Sequence, residues 1–206
     1  MGSRIMHSII GYKIAEALSI GNRTSFLLGS IAPDAVLTSK AKDLSHFYAG
    51  NIGDNTRRIC YDTFFQKYRL LNVKDEAYLL GYYAHLIADD IWLKGFYLAW
   101  LRNRMANNNQ LHKLYHRDFQ LLNGKLLEHY SINLGLHQIL SRACTIPDLE
   151  EVKALNVEKF LHSVLEDMEY GVDCLEENLC VFSFDQIVGY VETSIELGIN
   201  KIKKVI

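Results

Sequence analysis

The residues from Ala77 to Trp100, AYLLGYYAHLIADDIWLKGFYLAW, are apolar on nearly every side when they are drawn as a helix. A helix of this kind is buried around most of its circumference, so the rest of the chain has to pack around it. The segment is the central part of a longer predicted helix that extends from about residue 75 to residue 104. The sequence therefore predicts a molecule assembled around one buried helix.

The rest of the chain also favours helices over strands. Only 2 prolines occur in 206 residues, which leaves few of the turns that a β-fold needs. Residues 24–53 are predicted to be a short helical turn followed by a long loop. We expect an all-α, single-domain, multi-helix bundle of roughly seven helices over residues 1–206. Apolar spacing and capping signals predict the other helices at about residues 5–20, 54–68 and 111–130, from Pro147, and from a capping box at Ser183 and Gln186.

Charge and cysteine content limit the partners that the chain can have. Lys and Arg number 22 and Asp and Glu number 24, so the net charge of −2 provides no broad positive surface, and no nucleic-acid partner is expected. No run reaches the roughly 18 uncharged apolar residues of a membrane span, so any membrane contact would be peripheral. The four cysteines form no C-x-x-C pair, and the N-terminal residues do not resemble a cleaved leader. We therefore expect reduced thiols and a cytoplasmic protein.

Two polar residues stand on one face of the predicted buried helix. His85 and Asp89 are four residues apart, so their side chains leave the same face about one turn from each other. Burying an uncompensated carboxylate costs several kcal/mol, and such a group persists only if it is paired, protonated or bound to a metal. Two interpretations of the pair are possible, namely a histidine–aspartate hydrogen bond in the core and a metal site. Asp90 lies about 100° round the helix, and we expect it to bond to a neighbouring loop or to an outside cation.

Three further residues have side chains that bind metals. His7 stands at the border of the apolar face of the first helix, and the predicted loop contains Asp34 in Ala-Pro-Asp and His46 in Ser-His-Phe-Tyr. Taken singly, they are an ordinary boundary histidine, a cap and a turn residue. Together with His85 and Asp89 they form a set of nitrogen and oxygen donors that suits Zn²⁺ better than Ca²⁺ or Mg²⁺. More than one carboxylate would allow two ions to be bridged.

In one order along residues 4–96, four segments resemble the bacterial zinc-dependent phospholipase C family. They are RIMHSIIGYKIA, GSIAPD, SHFY and YYAHLIADDIW. The fungal single-strand-specific zinc nucleases share that fold and its ligand scheme, so the resemblance also admits phosphodiesters other than lipids. The resemblance implies the all-α fold of this family and a zinc-dependent phosphoesterase.

By position, the resemblance also implies a role for each candidate residue. His46, His85, Asp34 and Asp89 would hold a first zinc ion, and His7 would bind a neighbouring ion that shares Asp89. Asp34 would be the catalytic residue, the general base beside a metal-bound water. The expected reaction is hydrolysis of a phosphodiester or phosphomonoester by that water, with one to three zinc ions. A small phosphate ester or a phospholipid head group would be the substrate.

The chain departs from the family pattern in the next helix. The family has a further histidine shortly after the buried H-x-x-x-D, but the residues around Gly95 supply none, and an H-x-x-x-E pair follows on the next helix. Here LHKLYHRDF aligns His112 and His116 with that pair. A helical wheel instead places Asp118 on the apolar face, so we expect Asp118 to be a metal ligand, with His129 as the alternative partner of its carboxylate. Since a second site is incomplete, a metal-stabilised, non-catalytic binding or structural protein remains the alternative function.

Overall fold

The computed structural model describes residues 3–71 and 75–206. This part of the chain is helical except for its loops and one two-stranded hairpin, in which β1 (Tyr48–Ala49) pairs antiparallel with β2 (Arg58–Ile59). The all-α prediction is confirmed. The helices are α1 (Arg4–Ala17), α2 (Arg23–Ile31), α3 (Ser39–Ser45), α4 (Tyr61–Leu70), α5 (Glu76–Trp92), α6 (Arg102–Asn107), α7 (Leu111–Tyr130), α8 (Asn133–Leu140), α9 (Ala154–Glu166), α10 (Asp173–Glu176) and α11 (Phe184–Ile202).

The central helix is α5, as the apolar segment predicts. Nearly all of its side chains are buried, and it packs against α2, α11, α4 and α1. Beyond Trp92 the chain continues through a π-helical segment, Leu93–Leu101, directly into α6. The helix predicted at residues 75–104 is therefore present without a break, and it changes from an α-helix to a π-helix after Trp92.

Two glycines allow α2 and α5 to cross at very short range. A Cβ atom added at Gly81 would lie 1.9 Å from the carbonyl oxygen of Phe26, and one added at Gly29 would lie 2.0 Å from that of Tyr78. Only glycine permits backbones to approach this closely. Gly81 is one turn before His85, so the close crossing determines which part of α2 the His85 imidazole faces.

The segment at residues 24–53 is more ordered than the sequence predicts. It contains α2, a 3₁₀ turn at Ala32–Asp34, α3 and the first strand of the hairpin. Side-chain caps start the two helices, because Asn22 accepts from the backbone N–H of Ser25 and Thr38 accepts from that of Ala41. α3 is short and polar, and α2 is buried on nearly every side, so neither helix has the one-sided apolar pattern from which a helix is predicted.

Two predicted helix starts are wrong, and two other predictions are confirmed. The helix expected from residue 54 begins at Tyr61, because residues 50–57 form the loop of the hairpin. The helix expected from Pro147 begins at Ala154. The helix over 111–130 and the capping box at Ser183 are present. The described residues form more helices than the roughly seven expected, and the single domain stays a prediction.

The fold also shows the character of the helices with respect to a membrane and the state of the cysteines. Within residues 3–71 and 75–206, no helix has the length and apolar character to cross a bilayer. All four cysteines, Cys60, Cys144, Cys174 and Cys180, are free thiols.

Candidate metal centre

Five of the predicted ligands converge on one buried spot around the carboxylate of Asp89. His7 Nε2 lies 3.2 Å from Asp89 Oδ1, and His46 Nε2 lies 3.2 Å from Asp89 Oδ2. His85 Nε2 is 3.6 Å from the same Oδ2 atom. The second carboxylate joins from the other side, with Asp34 Oδ1 3.4 Å from His46 Nε2. Four separate parts of the fold thus supply this cluster, namely α1, the 3₁₀ turn, the end of α3 and α5.

Backbone carbonyls orient two of the three imidazoles. His85 Nδ1 lies 2.8 Å from the carbonyl oxygen of Ser30, and His46 Nδ1 lies 3.0 Å from that of Lys42. In a neutral imidazole, an Nδ1–H that donates to a carbonyl leaves Nε2 unprotonated and able to bind a metal. Both Nε2 atoms are directed into the cluster, where they face each other at 3.3 Å.

The loop that carries His46 is tied to the core on both sides. The hydroxyl of Ser45 donates to the carbonyl oxygen of Pro33 at 2.8 Å, and the hydroxyl of Tyr82 donates to the carbonyl oxygen of Ser45 at 2.6 Å. Phe47 follows with a left-handed backbone, φ 51°, which a non-glycine residue adopts only where its surroundings enforce it. These contacts hold His46 against α5. Ser45 and Tyr82 belong to the segments SHFY and YYAHLIADDIW, but their residue types give no sequence signal of this positioning role.

The charges of the cluster are those that a cation requires. Burial raises the pKa of Asp89, yet that pKa lies well below its usual range, and the imidazoles of His46 and His7 are among the groups that lower it. Burial likewise raises the pKa of Asp34, and His46 and His85 reverse the effect. Burial lowers the pKa of His46, yet Asp34 and Asp89 bring it to about 8. Burial and repulsion from His7 lower the pKa of His85 to about 4. The site therefore holds ionised carboxylates and attracts a positive charge.

The geometry of the donor atoms fits zinc. Within the described residues, both ring nitrogens of His7, both oxygens of Asp89 and Asp34 Oδ1 are buried without an aligned hydrogen-bond partner, despite their short distances. Buried polar atoms left in this way mark a place for an ion or water. Tetrahedral zinc with ligands at about 2.0–2.1 Å keeps adjacent donors about 3.3–3.4 Å apart. The separations here are 3.2–3.6 Å.

Two overlapping groups of donors share His85. The first consists of His7, His85 and Asp89, and the second of Asp34, His46 and His85. In each group the donor atoms lie within 4.8 Å of one another. The cluster can therefore accommodate a metal ion in more than one combination of ligands.

Comparison with protein families agrees with this donor set. A sequence model of the zinc dependent phospholipase C family matches residues 6–174 of the 206. The chain belongs to the zinc-dependent phospholipase C family. The match reaches well beyond residues 4–96, which carry the motifs, and includes α7 and α9. Zinc is accordingly the cofactor that family membership and the His/Asp groups indicate. No curated protein and no solved structure matches the chain.

The sixth predicted ligand of this phospholipase C relative, Asp118, is used differently. Asp118 is fully buried, but Oδ1 accepts from the backbone N–H of Cys180 at 2.8 Å, and Oδ2 accepts from those of Val181 at 2.7 Å and Phe182 at 3.1 Å. Both oxygens are thus occupied, and Asp118 belongs to neither donor group. We therefore correct its assignment from a metal ligand to an anchor of the loop before α11. His129 contacts aromatic rings instead of this carboxylate.

Removing the Asp118 carboxylate is expected to destabilise the protein without removing zinc. Asp118→Ala would leave three N–H groups without their acceptor, at a cost of about 2–4 kcal/mol in the free energy of unfolding. Urea unfolding and elemental analysis of the purified variant measure the two effects. Glu158→Ala, an exposed carboxylate in α9, is the control and should change neither. Loss of zinc from Asp118→Ala with unchanged stability would restore the ligand assignment.

The remaining candidates lie outside the cluster. Asp90 accepts from the backbone N–H of Ile59 in β2 at 3.4 Å and pairs at 2.5 Å with Lys94, one turn further along the same helical segment, so its partners are a strand and a side chain of its own helix instead of a loop or an outside cation. His112 and His116 are exposed, with their Nε2 atoms 3.3 Å apart. Neither histidine belongs to the two donor groups of the described residues.

Two cavities that share three lining residues lie beside the metal centre. Their volumes are about 460 and 450 Å³, within the usual range of ligand sites, and both are lined by Lys42, Tyr115 and His116. Asp34 lines the second cavity. The first cavity is otherwise mainly apolar and contains Tyr48, Ile52, Trp92, Leu93, Tyr97 and Leu101. The second is more polar and contains Ser3, Arg4, Gln120, Asn123, Phe160 and Asp167.

Proposed function

We propose that the chain is a zinc-dependent phosphoesterase that resembles phospholipase C and hydrolyses a phosphodiester or phosphomonoester. The observation that carries this proposal is the convergence of three imidazoles and two carboxylates, several of them without aligned partners, beside two cavities. Zinc supplies Lewis acidity, which activates water and stabilises the charge on the phosphoryl group. Between one and three ions are expected.

Under this proposal five residues hold the ion and one of them is also the base. His7, His46, His85 and Asp89, whose side chains are fully buried, would hold zinc together with Asp34. The side chain of Asp34 is 12% exposed and lines a cavity, so it can reach a substrate. The Asp34 carboxylate is ionised at neutral pH, as a base that takes a proton from attacking water has to be. Asp34 is therefore the proposed catalytic residue.

The proposed substrate is a small phosphate ester or a phospholipid head group. Family membership supports this class, and the two cavities of different polarity offer room for the two parts of such an ester. Contact with a membrane would be peripheral, and the cytoplasm is the proposed location because the four cysteines are free thiols. No nucleic-acid partner is proposed, since the net charge is −2.

The test combines metal content with hydrolysis. Purified protein is expected to contain zinc by elemental analysis and to hydrolyse bis-p-nitrophenyl phosphate or p-nitrophenylphosphorylcholine. Asp34→Asn should lower kcat by about 100-fold or more, the scale of a lost general base, because asparagine cannot accept the proton. Asp173→Asn, an exposed position in α10, should behave as the wild type. Turnover that is unaffected by Asp34→Asn would refute the assigned base.

One observation favours a second candidate, a metal-stabilised protein without catalysis. The ligand expected from α7, Asp118, is committed to the loop at residues 180–182. A protein of this kind would bind zinc and gain stability from it, but it would hydrolyse neither ester. Zinc binding without turnover therefore supports the second candidate, and the absence of zinc excludes both.

A further inference from the structure

Lys42 stands at the mouth of the metal centre. It lies on α3, one helical turn before His46, and its Nζ is 3.1 Å from Asp34 Oδ1. Its side chain is 33% exposed, whereas the imidazoles behind it are fully buried. The ammonium group therefore lies beside Asp34 at the side of the metal centre that faces the two cavities.

The ammonium of Lys42 has donors to spare. A lysine carries three N–H donors. In the described part of the chain, the one polar side-chain atom found close to Nζ is Asp34 Oδ1, and the two atoms are not aligned for a hydrogen bond. The same carboxylate oxygen also faces His46 Nε2 at 3.4 Å. Lys42 is therefore free to donate to an anion that enters from the cavity side.

The two cavities indicate where such an anion would bind. Both are lined by Lys42, so the ammonium stands where they meet, and one of them reaches Asp34. The two ester groups of a phosphodiester leave phosphorus in different directions, while its two remaining oxygens carry the negative charge. A phosphate at the junction would direct one ester group into each cavity and present a charged oxygen to Lys42.

We propose that Lys42 is a further substrate-binding residue, whose ammonium binds a non-bridging oxygen of the substrate phosphate at the junction of the two cavities. The proposal rests on the proposed phosphoesterase function for the identity of the substrate. Its physical content is a charge-assisted hydrogen bond, which is stronger than a bond between neutral groups. Residue type and spacing do not predict a substrate-binding role for Lys42, because it lies in a segment that the sequence predicts to be a polar loop.

The test uses zinc-loaded protein with Lys42→Met and Lys42→Gln, which remove the charge, and Lys42→Arg, which keeps it. Lys40→Met is the matched control, since Lys40 is exposed on the same helix and lines neither cavity. The measurements are the Kd of inorganic phosphate by calorimetry, kcat and KM for bis-p-nitrophenyl phosphate, zinc content and thermal unfolding.

Both neutral variants are expected to weaken phosphate binding and to raise KM by about tenfold or more, the scale of a hydrogen bond to a charged group. Lys42→Arg should keep most of the affinity, and Lys40→Met should equal the wild type. Zinc content should not fall, because removing Lys42 removes a positive charge beside Asp34. If Lys42 only neutralised Asp34, the neutral variants would change zinc affinity or stability and leave phosphate binding intact.

The outcomes separate the two proposals. Phosphate binding and KM that do not change in the neutral variants overturn the role of Lys42 while hydrolysis by the wild type upholds the function. Phosphate binding that depends on Lys42, without hydrolysis of any ester, upholds the binding role and overturns the function. No phosphate binding by the wild type, or an equal loss in Lys40→Met, also overturns the role of Lys42.

Discussion

Asp89→Asn is expected to lose zinc and, with it, hydrolysis of phosphate esters. Asp89 is the side chain on which the cluster is centred, with both oxygens near imidazole nitrogens at 3.2–3.6 Å. Asparagine keeps the size of the side chain, but it is neutral and replaces one oxygen by an N–H donor group. Even a residue that only supports a ligand contributes about 10–100-fold to metal affinity, so loss of this carboxylate should lower zinc affinity by more than about 100-fold.

Asp90→Asn is the matched control for this substitution. It changes the same residue type at the next position of α5, but Asp90 faces Ile59 and Lys94 and not the imidazoles. We measure zinc affinity by competition with a chelator, and thermal unfolding with and without added zinc. Zinc should stabilise the wild type and Asp90→Asn, because a ligand that binds only the folded state raises its stability, and it should have little effect on Asp89→Asn. Full zinc occupancy in Asp89→Asn would refute the centre described here.

The core of the site could be predicted from the sequence, because it depends on local rules. His85 and Asp89 are polar residues at helical spacing in an apolar segment, and burial makes such a pair conspicuous. The order of the motifs then pointed to His7, Asp34 and His46. The sequence predicts only a helical turn and a loop at residues 24–53, because α2 is buried on nearly every side and α3 is short and polar, so neither has a one-sided apolar pattern.

Asp118 shows where the same reasoning fails. A carboxylate on an apolar face does need a partner, and that inference is sound. Its partners are backbone N–H groups of residues 180–182, more than 60 residues further along the chain, and backbone donors carry no sequence signal. Ser30 and Lys42 orient imidazoles through carbonyl oxygens in the same way. Contacts made by the backbone across the fold therefore limit what residue type and spacing can predict.

The crossing of α2 and α5 leads to the second large effect, for Gly81→Ala. The added methyl group would lie 1.9 Å from the carbonyl oxygen of Phe26, and a backbone atom cannot move aside by changing rotamer. The two helices would have to separate, so the free energy of unfolding should fall by about 3 kcal/mol or more, at or beyond the upper end for overpacked cores. Separation would also draw the Ser30 carbonyl away from His85 Nδ1, now 2.8 Å away, and weaken zinc binding.

Gly189→Ala separates this effect from the general consequences of adding a methyl group to a helix. Gly189 lies in α11, and a Cβ atom built there meets nothing within 4 Å. Alanine is a better helix former than glycine, so this control should stabilise the protein by up to about 1 kcal/mol. Urea unfolding gives the stability of both variants, and chelator competition gives their zinc affinity. If the stability and the zinc affinity of Gly81→Ala equal those of the wild type, the close approach of α2 and α5 does not position His85.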